Sequence, residues 1–358
     1  MVSKDGGDRM KEIRIGERLI GNSEEVFIIA EAGVNHNGDL ELAKRLIAAA
    51  KDAGADAIKF QSFITEEIIS QGAPKAGHQL RHSDKDESQF DMIKRLELSE
   101  DDHKKLIAYA NSKGIIFLST PYDFYTVDWL DKYGVPAFKI ASIDVDNRHL
   151  LKYVASKKKP IILSTGMSYL EEVRAGVDAV RGAGNTDIIL LHCTSNYPTA
   201  KQDTNLNAIR TLAREFNTVV GYSDHTEGDE ASLCAVCLGA RVIEKHFTVD
   251  KKLAGPDHIL SMDPKEFKMF IERVKGVESL LGSGEKAPAL SEMANRRDMK
   301  RSLFTRFPVK KGELLTIDKI AFKRPGTGIA ASKIDDALGR RSTCDIEPET
   351  MLSWEMIE

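Results

Sequence analysis

The sequence predicts an α/β protein, a (β/α)₈ TIM barrel followed by a small C-terminal domain. Three observations carry this expectation. Between Val26 and Gly282 a short apolar run, a turn and a helical stretch recur eight times. The runs are near-continuous in β-branched and aliphatic residues, as expected of strands buried on both faces of a parallel sheet. The polar residues that punctuate them cluster at their C-terminal ends, the face on which such barrels carry chemistry. The 358 residues leave room for a second module beside a barrel of about 250 residues.

The elements follow in order. EIRIGERLIG (Glu12 to Gly21) reads as a hairpin placed to plug the barrel floor. The first four strands are FIIAEAG (Phe27 to Gly33), DAIKFQS (Asp56 to Ser62), IIFLST (Ile115 to Thr120) and AFKIAS (Ala137 to Ser142). IILST (Ile161 to Thr165), DIILLHC (Asp187 to Cys193), TVVGYS (Thr218 to Ser223) and RVIEKHF (Arg241 to Phe247) complete the set. After the first strand, Asp39 to Ala53 carries Leu42, Leu46, Ala49 and Ala50 at helical spacing, with Gly54 as its stop. Ser99 caps a helix with acids in its first turn, and Asp263-Pro264 opens the last one with proline at the first helical position. Eight alternations, with right-handed crossovers the rule, favour closure into a barrel over an open sheet.

The expected domains are therefore residues 1–282, the barrel with its hairpin, a linker over 283–298, and a C-terminal module over 299–358. The linker, GSGEKAPALSEMANRRD, is small, polar and rich in breakers. The module contains an internal repeat. VKKGELLTIDKI (Val309 to Ile320) aligns without a gap on IEPETMLSWEMI (Ile346 to Ile357), and each half reads as a strand, a turn and a short capped helix. RPGTG (Arg324 to Gly328) separates the halves with turn chemistry.

Composition narrows the function classes. Lys+Arg 51 against Asp+Glu 55 gives a net charge of −4, without the basic excess expected of a nucleic-acid or membrane-surface binder. No apolar run reaches the roughly 18 residues of a membrane span. MVSKDGGDRMKE lacks a hydrophobic signal core, so a cytoplasmic protein is expected, and the start lies at Met1 or Met10. Four cysteines in a chain of this length do not make a disulfide scaffold.

The chemistry concentrates at the strand ends: Glu31, Lys59, Gln61, Ser119, Thr120, Lys139, Ser142, Ser164, Thr165, His192, Ser223, His225, Lys245 and His246. Lys59, Lys139 and Lys245 lie inside runs that otherwise look like core. Three ammonium groups at one mouth require an anionic partner, because unpaired buried charge is costly. The neighbouring hydroxyls suit a phosphate or carboxylate. His225 and His246, one βα unit apart, are placed to share a divalent metal. His78, His82, His103 and His149 are expected at the surface or in loops. Cys234 and Cys237 form a CxxC inside a predicted helix without the second pair that a zinc site needs, and are expected in the core. Cys193 follows His192 at a strand end with no adjacent base to activate it. NHNGD (Asn35 to Asp39) is too short for a dinucleotide fingerprint and reads as a turn with Asp39 as N-cap.

Ten ordered motifs give these residues a family context: IAEAGVNHNGD, DAIKFQ, FLSTPYD, FKIAS, PIILSTGM, LLHCTSNYPT, GYSDHT, EKHFT, GPDH and FKRPGTG. From about Val26 to its C-terminus the chain resembles the sialic acid (N-acetylneuraminate) synthase family. The resemblance implies a TIM barrel with a C-terminal antifreeze-like (SAF) domain. It implies metal-dependent condensation of phosphoenolpyruvate with an N-acylated mannosamine-type sugar, and a homodimer in which each SAF domain swaps onto its partner's barrel. Lys59, Thr120, Lys139, Ser142, Ser164 and Ser223 then match the phosphoenolpyruvate pocket. His225 and His246 match the ligands of a divalent metal, usually Mn²⁺, with Mg²⁺ or Co²⁺ as alternatives. Glu31 matches the proposed general base. Gln61, Tyr197 and Asp257 match sugar-binding positions, and Arg324 matches the arginine carried by the SAF domain. The chain departs from the family at Asp144, where sialic acid synthases carry glutamate against the sugar hydroxyls. It departs again at Ser195, where some members carry asparagine near the phosphate.

The main reading is an N-acetylneuraminate synthase. Within the family the alternatives are a synthase of N,N'-diacetyllegionaminate or pseudaminate, or one acting on a 6-phosphorylated sugar. Outside it, one of the three lysines acting as a Schiff-base nucleophile would make a pyruvate aldolase. A degenerate barrel carrying a binding module is the non-catalytic alternative, and the full set of metal, lysine and acidic positions speaks against it.

Overall fold

The computed structural model describes residues 12–21, 24–75 and 87–358. The chain divides into two compact units, one up to Gly282 and one from Ser283. In the first unit, eight parallel strands build a nearly closed sheet: β3 (Phe27–Gly33), β4 (Ala57–Ser62), β5 (Ile116–Pro121), β6 (Phe138–Ile140), β7 (Ile161–Ser164), β8 (Ile188–Cys193), β9 (Val219–Asp224) and β10 (Val242–His246). The ladder runs β5–β4–β3–β10–β9–β8–β7–β6, and β5 lies beside β6. Every barrel run predicted as a strand forms one, whereas in the C-terminal repeat the predicted strands reduce to isolated bridges such as Val309 to Ile346. AFKIAS pairs over the shortest length, because Ser142–Asp144 turns into a 3₁₀ helix.

The helices form where the capping chemistry places them. Asp39 accepts hydrogen bonds from the backbone N–H groups of Glu41 and Leu42 at the start of α1 (Leu40–Ala53), and Gly54 closes that helix at φ 96°. Among the described residues, two shorter helices lie between β4 and the next barrel helix, α2 (Thr65–Ile68) and α3 (Gln89–Leu96). Ser99 caps α4 (Glu100–Lys113). The outer layer continues with α5 (Phe124–Lys132), α6 (Arg148–Ser156), α7 (Leu170–Gly182), α8 (Ala208–Phe216) and α9 (Glu230–Cys237). α10 (Pro264–Leu281) begins with Pro264 behind a capping box of Asp263 and Glu266.

Strand alternation sorts side chains between two cores. Ile28, Ile58, Phe60, Leu190 and Ile243 point outward into the layer beneath the helices. Phe27, Ile29, Ala57, Leu118, Ile162, Ile189, Leu191, Val219 and Val242 fill the barrel interior at its lower end. The antiparallel hairpin of β1 (Ile13–Ile15) and β2 (Arg18–Ile20) adds Ile13, Ile15 and Ile20 to that same cluster. The floor is thus sealed, and the polar interior positions all lie above it.

Several sequence expectations change. His103 is buried rather than exposed: its Nε2 lies 2.7 Å from Ser62 Oγ and its Nδ1 2.9 Å from Ser99 O. His149 is exposed, and His78 and His82 lie outside the described residues. Cys234 and Cys237 are exposed, not core: α9 buries Ser232, Ala235 and Val236, and the two cysteines occupy its other side. The helix is apolar on every face, so its pattern does not reveal which side is covered.

In the second unit, β11 (Ser302–Thr305) pairs antiparallel with β12 (Ile320–Lys323) around a core that includes Leu303, Val309, Leu315, Ile346 and Leu352. The internal repeat is structural. Val309 and Ile346, equivalent in the two halves, exchange both backbone hydrogen bonds at 2.9 and 2.8 Å. Gly312 and Glu349, also equivalent, both adopt the left-handed conformation, at φ 80° and 62°. Each half ends in a 3₁₀ turn (Ile317–Lys319; Trp354–Met356) rather than a capped helix. The segment expected to be a linker contains α11 (Met293–Met299), whose Arg297 carbonyl accepts from the Gly326 N–H at 2.8 Å.

Candidate active site

The interior positions above the floor open into a cavity of about 890 Å³. The sheet register sets its first layer. Glu31 on β3 stands beside Lys59 on β4 and His246 on β10, and Glu244 stands beside Ser223 on β9. Lys59 Nζ lies 2.6 Å from Glu31 Oε2, 3.2 Å from Thr120 Oγ1 and 3.8 Å from Glu244 Oε2. Lys139 donates to Ser164 Oγ at 2.7 Å and to the Ile140 carbonyl at 3.0 Å, and its Nζ is 3.9 Å from Glu244 Oε1. Two ammonium groups and two carboxylates therefore share one chamber, all nearly inaccessible to solvent.

The carboxylates are not equivalent. Glu244 faces both lysines and accepts from Ser223 Oγ at 2.9 Å, and these partners hold its carboxyl below the usual range against the opposing effect of burial. Glu31 is paired directly with Lys59 alone and feels Lys139 more weakly. Burial first, and the charge of Glu244 after it, push Glu31 up to about 7 despite Lys59. Burial pulls Lys139 down, whereas Glu244 and Glu31 together hold Lys59 up. Asp257, also buried, is pushed up to about 6, and Tyr197 stays a phenol because burial raises it strongly.

His225 and His246 stand side by side at the ends of β9 and β10, their ring centroids 5.5 Å apart, with the Tyr197 ring 4.2 Å from His225. His225 Nδ1 lies 2.7 Å from the Thr194 carbonyl oxygen, which can only accept. That contact places the proton on Nδ1 and leaves the Nε2 lone pair available. Burial pulls His225 down to about 4, so the ring is a neutral ligand at physiological pH. Among the described residues no cluster of three or more His, Cys, Asp or Glu is arranged to hold a metal. His225 and His246 are the two residues here that could hold a divalent metal.

Thr120, Ser142, Ser164, Ser195 and Ser223 add to the polar lining, together with Gln61, Tyr122 and Asn196. Gly166 is held against them, its N–H donating to Ser142 Oγ at 2.9 Å. A Cβ there would stand 2.4 Å from Ser195 Oγ and 2.8 Å from Cys193 Sγ, so only glycine fits.

Four sequence expectations are corrected by strand parity. Lys245 does not reach the mouth: it points outward, pairs with Asp224 at 2.9 Å and donates to the Thr226 carbonyl at 2.6 Å. His192 likewise points outward, bonding the Thr204 carbonyl at 2.7 Å, and Ser119 bonds Ser62 at 2.6 Å. Thr165 donates to the Leu191 carbonyl at 3.0 Å. Asp144 is buried but does not line the cavity; its Oδ1 accepts from Asn147 Nδ2 at 3.1 Å within the 3₁₀ turn. Arg324 is exposed on the second unit. The sequence reading missed Glu244, the mirror image of its Lys245 error, and also Tyr122 and Gly166. The available signal was the period of two: Glu244 and His246 share a parity.

Comparisons with known proteins identify the family of the chain. The model of the NeuB family matches residues 46–286, and that of the SAF domain matches residues 300–358. The N,N'-diacetyllegionaminic acid synthase of Legionella pneumophila is 48% identical over 342 residues, covering 94% of this chain and 96% of that protein. The N,N'-diacetyllegionaminic acid synthase of Campylobacter jejuni is 44% identical over 331 residues, covering 92% and 99%. Among solved structures, the N-acetylneuraminic acid synthetase of Leptospira borgpetersenii in complex with citrate aligns with a TM-score of 0.74 at 37% identity, covering 81% of this chain and 96% of that one. The chain belongs to the NeuB family and is an enzyme of the sugar-acid synthase class with a C-terminal SAF domain.

Proposed function

We propose that this enzyme condenses phosphoenolpyruvate with a 2,4-diacetamido-trideoxy hexose to give N,N'-diacetyllegionaminate and phosphate. The observation that carries the reaction is the pairing of two buried lysines with two unequal carboxylates beside two neighbouring histidines. The relatives shift the sugar away from N-acetylmannosamine, the acceptor of the main sequence reading, toward the diacetamido sugar of its alternative.

In this reading Lys59 and Lys139 offset the carboxylate and phosphate charges of phosphoenolpyruvate, and Ser142, Ser164 and Ser223 donate hydrogen bonds to the same anion. Gln61, Tyr197 and Asp257 orient the open-chain sugar so that C3 of the enol phosphate faces its aldehyde. The new bond joins C3 to the sugar C1, water adds at C2, and the tetrahedral centre expels phosphate. Glu31 receives the proton of that water, and a proton relayed through it reaches the alkoxide formed at the sugar C1, a role suited to a carboxyl held near 7. His225 and His246 fit a divalent metal such as Mn²⁺, because His225 is neutral and presents a free lone pair. Such a metal would supply Lewis-acid polarisation of the aldehyde oxygen. Arg324 would meet the sugar from a second copy of the chain in a domain-swapped homodimer.

Phosphate release with Mn²⁺ tests the reading against three acceptors: N-acetylmannosamine, its 6-phosphate and 2,4-diacetamido-2,4,6-trideoxymannose. Release with the diacetamido sugar, abolished by EDTA and restored by Mn²⁺, is expected. Preference for N-acetylmannosamine or its phosphate would return the enzyme to another branch of the family. Lys139, pulled down by burial, is the residue that favours a Schiff-base aldolase. A borohydride-trapped pyruvate adduct on Lys139, with EDTA-resistant turnover, would establish that instead.

A further inference from the structure

One wall of the cavity has a chemistry that the condensation itself does not require. The longest of the barrel's βα connections, residues 63–99, follows β4 and carries α2 and α3. It builds its own apolar cluster, separate from the barrel core, in which Val34, Phe63, Met92 and Leu96 are buried and Ile68 and Ile93 are partly covered. Met92 faces into this cluster, while Val34, Phe63, Ile68, Ile93 and Leu96 line the cavity.

The wall is fixed in place. Thr65 donates to Glu97 Oε2 through both its N–H at 2.9 Å and its hydroxyl at 2.6 Å, and the Ile64 N–H donates to Asp123 Oδ2 at 3.0 Å. Its position along the substrate path is also fixed. Val34 and Phe63 directly follow the ends of β3 and β4. A Cβ at Gly33 would lie 3.1 Å from Glu31 Oε1, 3.6 Å from Gln61 Nε2 and 3.7 Å from Asp257 Oδ2. Val34 and Phe63 therefore stand just beyond the polar collar of Glu31, Gln61 and Asp257, and β3 lies across the barrel from β7, which carries Ser164.

We infer that Val34, Phe63, Ile68, Ile93 and Leu96 form a specificity wall that takes the methyl-ended tail of the acceptor sugar and rejects the hydroxymethyl-ended counterpart. A methyl group against this surface leaves water at a gain. A hydroxyl pressed against these five side chains loses its hydration and none of them can hydrogen-bond to it, although Ser70 and Gln89 of the same connection also line the cavity. Because the wall is preformed, its contribution is not spent on ordering a loop. The inference rests on the diacetamido-sugar reading above and adds the residues that select the 6-deoxy end.

The test uses the Mn²⁺-loaded full chain with two acceptors differing only at C6: 2,4-diacetamido-2,4,6-trideoxymannose and its 6-hydroxy analogue. The wild type is expected to favour the deoxy sugar by roughly 10- to 100-fold in kcat/KM. Ile93→Thr and, independently, Ile68→Asn should bring that ratio below about threefold, through a higher KM for the deoxy sugar and with KM for phosphoenolpyruvate unchanged. The second variant sits on the shorter helix and keeps the test open if the first fails to fold. Equal use of both sugars by the wild type, or an unchanged ratio in a folded variant, would overturn the wall while leaving the synthase reading intact. Turnover of neither sugar would sink the synthase reading and the wall with it.

Discussion

The two ends of one barrel use the same strands in opposite ways. On β3, Ile29 and Glu31 point into the interior two residues apart; on β4, Ala57 and Lys59 do the same; on β10, Val242 and Glu244. The lower member of each pair joins an apolar plug sealed by the hairpin, and the upper member joins a charged chamber. The plug gains stability from burial, while the chamber places charges where they cost stability and serve chemistry. Stability and reactivity are thus separated by a single step of the strand period.

The sharpest break of this comparison comes from substitution at one step and then the other. Glu31→Gln is expected to lower kcat by about 10³-fold while phosphoenolpyruvate still binds, measured by phosphate release and calorimetry. Ile29→Ala, fully buried in the floor, should cost about 3 kcal/mol in urea unfolding and leave kcat within about twofold. A large kcat loss in Ile29→Ala would show that floor and mouth are coupled.

The pH dependence sharpens the same contrast. Glu31 is faced by Lys59, Glu244 and Lys139, and burial sets its carboxyl near 7. As the proton acceptor it must be ionised, so kcat/KM should rise about tenfold per pH unit below 7 and level off above it. Stability moves the other way. Between the ordinary 4.5 and about 7 the folded chain holds a proton that the unfolded chain has released, so this group destabilises the fold progressively as pH rises through that window. Glu31→Gln should remove both slopes, and a rate profile flat between pH 5 and 8 would exclude Glu31 as the base.

The smallest expected effect lies in the second unit, where no charged chamber competes with the fold. Gly312→Ala should cost about 1 kcal/mol, because its left-handed turn disfavours a Cβ. The equivalent Glu349→Gly should stabilise by about 0.5 kcal/mol, since the exposed pair it loses with Lys323 contributes little. Thermal melts of both variants check the pair. Opposite signs at equivalent positions would establish the repeat as an energetic symmetry as well as a geometric one.

Much of this was legible in the sequence. Eight apolar runs with helices between them fix a parallel α/β barrel, because only strands covered on both faces tolerate such continuity. Asp39, Ser99 and Asp263 mark their helix starts through local hydrogen bonding that needs no tertiary partner. Lys59, Lys139, His225 and His246 stand out as polar residues at apolar strand ends. Which strand-end residues face inward was a different matter. Runs that are apolar on both sides conceal the period of two, so RVIEKHF displays Lys245 and Glu244 equally. Tertiary packing chose Glu244 for the chamber and gave Lys245 to Asp224 under the helices. It also withdrew Asp144 into a 3₁₀ turn and turned apolar side chains of α2 and α3 toward the cavity. Local sequence determines elements and their ends, whereas inside and outside are decided only when the barrel closes and gives each side chain one neighbour set or the other.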